Sequence, residues 1–143
     1  MRYNIFMKNE QGFSLKELII FTGLLLIVII FGVLLLNQER QRTRDAVRMA
    51  DLTQVRFGFE VLFNEKNSYA EAASGCSQIN SLVSSCNLGA YLANISQIKD
   101  PGGYSYKITK IPTNRDFEVT FTLEKGYRNL AKGKHTLSAE GIK

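Results

Sequence analysis

The sequence predicts an α+β fold: a long N-terminal α-helix, membrane-spanning in its first half, packed against a small antiparallel β-sheet head. Three observations carry this expectation. Residues 18–36, LIIFTGLLLIVIIFGVLLL, hold no charge. Downstream of them Leu52, Val55, Phe59 and Leu62 recur at helical steps of three and four. Beyond residue 100 the pattern changes to alternation, clearest in FEVTFTL at residues 117–123.

Length and composition suit one ordinary domain with an appendage, at 143 residues, 45% apolar and 22% charged. If the first fifty or so residues stay outside the globular part, about ninety remain, enough for one small core that gains from a covalent staple. The net charge of +5 permits contact with anionic lipid, nucleic acid or acidic proteins. Lys and Arg are spread along the chain, so charge alone selects none of these.

At 1.5 Å rise per residue, nineteen helical residues reach roughly 28 Å, close to the ~30 Å of bilayer hydrocarbon. A cleavable secretory signal has a shorter apolar core and a small-residue cleavage site. Here Asn37, Gln38, Glu39 and Arg40 follow instead. The helix should continue, since no proline precedes Pro101 and residues 38–64 are rich in helix formers, with Met49, Val61 and Phe63 widening the apolar stripe. Arg40, Arg44 and Arg48 lie four apart on another face, with Glu39 and Asp45 among them. That run reads as a solvated juxtamembrane turn, or as contact with lipid headgroups or a neighbouring subunit. Counting Arg40, Arg42, Arg44 and Arg48 after the span against Arg2, Lys8 and Lys16 before it favours a cytoplasmic C-terminus. Glu17 stands at the entrance of the apolar run, where a carboxylate is costly unless something pairs with it.

After Asn64 the residues become small and polar, with two apolar clusters around 79–83 and 88–98 that suit short helical turns. Cys76 and Cys86 lie in SGCSQINSLVSSCNLG, the pattern of a surface loop closed by a disulfide in an oxidising compartment; the alternative is two free thiols in the cytosol. The disulfide reading places the C-terminal part outside the cytoplasm, against the arginine count. Asp100-Pro101-Gly102-Gly103 is a turn signal. Residues 104–111 and 117–123 then form a hairpin, and 135–139 a third strand. One face of such a sheet is free to bury the helix stripe.

No catalytic constellation is expected. GxSxG, HExxH, Walker and Rossmann patterns are missing, and His135 is the single histidine, read as a surface strand residue and remote from the cysteines that zinc would need. Asp116 and Glu118 share a strand face without an obvious pocket. The sequence therefore predicts no enzyme, no catalytic residue, no cofactor and no metal. From Lys99 to Lys143 nine Lys or Arg face five acids, with Tyr104, Tyr106 and Tyr127 among them. Phosphate attraction and base stacking would suit DNA, but dispersed lysines on a solvated sheet explain the composition more simply.

Gly12-Phe13-Ser14-Leu15-Lys16-Glu17, followed by the apolar run, resembles the cleavage and methylation site of type IV pilins and type II secretion pseudopilins. Farther on, RDAVRMADLTQVRFGFEVLFNEKNSYAE looks like that family's exit helix, and YLANISQIKDPGGYSYKI like its punctuation before the sheet. The likeness covers most of residues 11–111. Lys16 stands where relatives carry an apolar residue, the helix has no proline, Asn67-Ser68-Tyr69 lacks the usual glycine and proline, and KGKHTLSAEGIK lacks the acidic calcium loop of major pseudopilins.

The resemblance implies a pilin-like fold, cleavage after Gly12 by a prepilin peptidase and methylation of the new amino terminus on Phe13. It also implies that Glu17 compensates the amino terminus of the adjacent subunit in the filament, so that two charges costly apart in lipid specify register when paired. The expected layout is a leader at 1–12, a membrane and filament-core helix at 13–37, an amphipathic continuation at 38–66 and a head with disulfide loop and sheet at 67–143. The expected function is a structural subunit of a type IV pilus or pilus-like filament, with a type II secretion pseudopilin, or a single-pass membrane-anchored binding protein, as alternatives. Partners would be like subunits, the peptidase, inner-membrane assembly machinery and, before assembly, lipid. The subunit would sit in the inner membrane with its head outside the cytoplasm, and later in a cell-surface filament.

Overall fold

Ser14 opens the long helix. Its carbonyl accepts the Leu18 N–H at 3.0 Å, while its own N–H donates to the Glu17 carboxylate at 2.9 Å. This is half of an S-x-x-E capping box, which satisfies an amide that helix geometry leaves without a partner. The computed structural model describes Gly12 and residues 14–143. The expected leader, apart from Gly12, and the expected methylation site at Phe13 lie outside the described residues. Helix α1 runs Leu15–Lys66, and the chain divides into two compact units, Met1–Asn37 and Gln38–Lys143.

In the first unit every large apolar side chain from Leu18 to Leu36 is exposed, by 49% at Leu25 to 69% at Ile20. Mean hydropathy reaches 3.2 over the most apolar stretch, and none of that stretch is buried within the chain. Thr22 donates its hydroxyl to the Leu18 carbonyl at 2.8 Å, leaving no side-chain group in need of water. An apolar surface this continuous has to be covered from outside, and its length and composition make it a candidate membrane span.

In the second unit α1 packs on the sheet through the expected stripe, since Leu52, Val55, Phe59 and Leu62 are all fully buried. Phe59 stacks on Phe117 with ring centroids 3.8 Å apart, and Tyr69 closes edge-on against both rings. Burying each such side chain stabilises by roughly 1.5–3 kcal/mol. The helix ends where Asn67 takes φ 52° and donates its N–H to the Phe63 carbonyl. Asparagine tolerates this left-handed stop, so no glycine is needed at the helix end.

The sheet is a four-stranded antiparallel meander, β1 (Lys107–Lys110), β2 (Glu118–Tyr127), β3 (Leu130–Ser138) and β4 (Gly141–Ile142), in the order β1-β2-β3-β4. Val119, Phe121 and Leu123 face the helix, while Thr120 and Thr122 take the outer face. Two expectations need correction. Residues 104–106 are not strand, and β3 begins at Leu130 rather than 135. The early half of β3 was unreadable because Ala131 and Gly133 occupy its alternate positions and supply no apolar signal. Its turn, Arg128-Asn129, lacks the usual glycine, with Arg128 taking φ 53°.

Three 3-10 turns, Ala70–Ser74, Val83–Ser85 and Ile95–Gln97, follow the helix; the latter two lie at the expected apolar clusters, and the first was not expected. Cys76 and Cys86 form a disulfide, Cα atoms 4.7 Å apart. The enclosed loop lies on the surface, as expected, with Ile79 and Leu82 exposed, while the two cysteines themselves are buried beneath it. Asn80 donates to the Ile108 carbonyl, Ile108 to Ser81 and Val83 to Tyr106, so residues 80–83 cover the outer edge of β1. Reduction is therefore expected to lower stability by about 3 kcal/mol on a loop-closure basis and to release the β1 edge along with the loop. Urea melts with and without reductant, read beside hydrogen exchange at Ile108, check this. Unchanged Ile108 protection would contradict it.

Candidate functional site

Two groups of polar residues stand out, one in each unit. In the first, Gly12 is exposed with no heavy atom near the position of a Cβ, and Glu17 is exposed one turn into α1 beside Ile20, Phe21 and Leu24. Among the described residues the contact made by the Glu17 carboxylate is the Ser14 N–H, not the neighbouring Lys16 ammonium. A carboxylate in the first turn also opposes the positive end of the helix dipole favourably. Glu17 thus has a local partner but keeps acceptor capacity for a cation.

The second group was missed as a group in the sequence. Asp45 and Arg48 are fully buried, although the arginine run suggested a solvated face. The Arg48 guanidinium forks onto Asp100, Nε to Oδ2 at 2.6 Å and Nη2 to Oδ1 at 2.9 Å, and Nη1 lies 2.8 Å from both Asp45 and Glu124. Arg44 forks onto Glu124 from outside at 2.7 and 2.5 Å. Asp45 in turn accepts the consecutive N–H groups of Glu124, Lys125 and Gly126 at 2.7–3.0 Å. Those amides converge because β2 carries a register shift between Leu123 and Gly126, a bulge that turns successive donors to one side. Two glycines are required here. A Cβ on Gly126, at φ 108°, would meet the Leu130 carbonyl at 2.6 Å, and one on Gly102 would meet Arg48 Nη2 at 2.7 Å. Tyr104 lies over the guanidinium, 5.2 Å from its ring centroid.

Electrostatics follow from that geometry. The Arg44 fork, with Arg48 behind it, holds Glu124 down at about 2 despite its burial. Burial alone would raise Asp45 and Asp100, but the backbone donors on Asp45 and the Arg48 fork on Asp100 outweigh it and leave both lowered. Carboxylates lowered in the folded state contribute stability above their unfolded values, 3.8 for Asp and 4.5 for Glu, and lose it as pH falls through the folded values. Asp51, raised chiefly by burial although Tyr106 donates to it at 3.0 Å, acts in the opposite sense, one group against three. The melting temperature is expected to fall between about pH 4.5 and about pH 2. Thermal melts across that window check it, and a flat profile would contradict the cluster's contribution.

A sequence signal existed for both groups. Ser14-Leu15-Lys16-Glu17 is the capping-box pattern. Asp45 and Arg48 extend the apolar stripe backwards at the same helical spacing, so charges on a core stripe called for buried partners. Comparison with protein-family models, curated proteins and solved structures returned no match. The site must therefore be read from its own geometry. A groove of about 630 Å³ between α1 and the β2–β3 turn, bordered by Met49, Thr53, Tyr127 and Leu130, has Arg128 as the single charged residue of its lining and offers no acid–base pair. Asp116 pairs with Lys110 and Glu118 with Thr109, so the two do not act together. His135 contacts the carbonyls of Ala131 and Lys143.

Proposed function

We propose that this chain is a structural subunit of a type IV pilus or pilus-like filament, cleaved after Gly12, methylated on Phe13 and assembled by packing of its apolar helix. The observation that carries the reading is Gly12-Phe13-Ser14-Leu15-Lys16-Glu17 set directly against an apolar helical surface that none of the described residues covers. In lipid that surface is solvated by acyl chains, and in a filament by the same surface of neighbouring subunits. Glu17 is exposed and has spare acceptor capacity, which supports a pairing with a neighbour's amino terminus. The disulfide supports a C-terminal unit outside the cytoplasm. It stands against the arginine count, but Arg44 and Arg48 have another use, since both neutralise acids of their own unit.

A filament that drives protein secretion, as the pseudopilins of the resembled family do, would use the same chemistry. A second class of reading, a single-pass anchor carrying a binding domain, is favoured by one observation: the Ser14 cap gives Glu17 a role needing no neighbour. Processing separates the two classes. The mature protein from cells with an active prepilin peptidase should begin at Phe13 and carry a methylated amine. An intact leader in the mass spectrum would remove the filament reading and leave the anchor.

A further inference from the structure

Much of the apolar stripe of α1 would meet apolar places on the sheet even if shifted by one turn. Leu52, Val55, Phe59 and Leu62 repeat at steps of three, four and three. A slide of one turn, about 5.4 Å, toward the N-terminus would put Val55 near the place of Leu52, Phe59 near that of Val55 and Leu62 near that of Phe59. Those three exchanges are apolar for apolar, and resistance from the stripe comes from the Phe59–Phe117 stack and from its far end, where Glu65 or Lys66 would enter the place of Leu62.

The charged cluster does not share that tolerance. The same slide would withdraw Arg48 from Asp100 and Glu124 and bring Leu52 against them, stranding buried carboxylates. It would also take Asp45 from the three amides of the β2 bulge. The fit is close, since even a methyl group on Gly102 would collide with the guanidinium. Position matters as well. Asp45 and Arg48 are the first buried residues of the second unit, ahead of the apolar stripe. The backbone of α1 is continuous from residue 37 into this unit. A pull on the apolar segment therefore reaches the cluster before it reaches Leu52.

We propose that Asp45, Arg48, Asp100 and Glu124 form an axial register lock, holding α1 at one position on the sheet against a pull along the helix. The proposal rests on the membrane or filament reading for the origin of the pull; the lock itself belongs to the second unit. It is distinct from ordinary stabilisation because its loss should matter more under load than at rest.

Constant-force pulling on the full chain in detergent micelles, tethered at its two ends, tests this. Arg48→Lys keeps the charge but loses the fork, and the factor by which it raises the rupture rate under load should exceed the factor by which it raises unfolding at zero load by about threefold or more. Leu62→Ala, at the far end of the stripe, should raise both rates by similar factors. If Arg48→Lys does not fold, Glu124→Gln takes its place with the same expected contrast. Equal ratios for cluster and stripe variants would overturn the lock. Because isolated chains are pulled, that failure leaves the filament reading standing, and an intact leader in cells leaves the lock standing.

Discussion

Arg48→Met should destabilise the second unit by about 3–5 kcal/mol, a large share of what holds a small domain together. Methionine fills similar volume, so the loss is electrostatic. Asp100 keeps only the Gly102 and Tyr104 amides, and Glu124 keeps Arg44, with both carboxylates now short of their buried cation. Removing the stranded charges as well, by adding Asp100→Asn and Glu124→Gln, should restore part of the loss, because a neutral set no longer pays an unpaired desolvation cost. Urea unfolding of the full chain in micelles, followed by circular dichroism, measures both variants. A loss below about 1 kcal/mol for Arg48→Met would mean that water reaches the cluster and that its burial is misassigned.

Glu17→Val should leave the protein processed and in the membrane yet absent from filaments. The apolar segment is long and apolar enough to span without this side chain, so insertion would have no need of it, whereas an unpaired amino terminus in a filament core would be costly. Glu17→Gln sharpens the test, for its carbonyl can still accept the Ser14 N–H but carries no charge. If charge pairing is the role, Gln fails as Val does. Should Gln assemble normally, the helix cap would be the whole of what Glu17 supplies. Cell fractionation together with sheared-filament immunoblots gives both readings.

The helix, its apolar stripe, the cysteine pairing and the α+β class could be read from the sequence because each has a strong local period or spacing. Leu52 to Leu62 repeats over nearly three turns, and FEVTFTL alternates without interruption. What escaped had partners far away in the chain. Asp100 is fifty-two residues from Arg48, and Glu124 is eighty from Arg44, so no local pattern announces either contact. The bulge at residues 124–125 hid a further feature. By adding a residue to β2 it breaks the alternation just where Glu124 leaves the ladder to meet the arginines.

The covered rim of β1 has a consequence for how copies of the chain would meet in the proposed filament. In the proposed filament, chains packed through their apolar helices would crowd their sheets, and an open strand edge under crowding invites uncontrolled strand-to-strand joining. On one side residues 80–83, fastened by the disulfide, already occupy the backbone of β1. On the other, β4 shields the end of β3, and the remaining stretch carries Lys132 and Lys134, charges that discourage a second strand from docking. Polymerisation by sheet addition is thereby disfavoured at both rims, so in the proposed filament the helical surface would decide who joins whom.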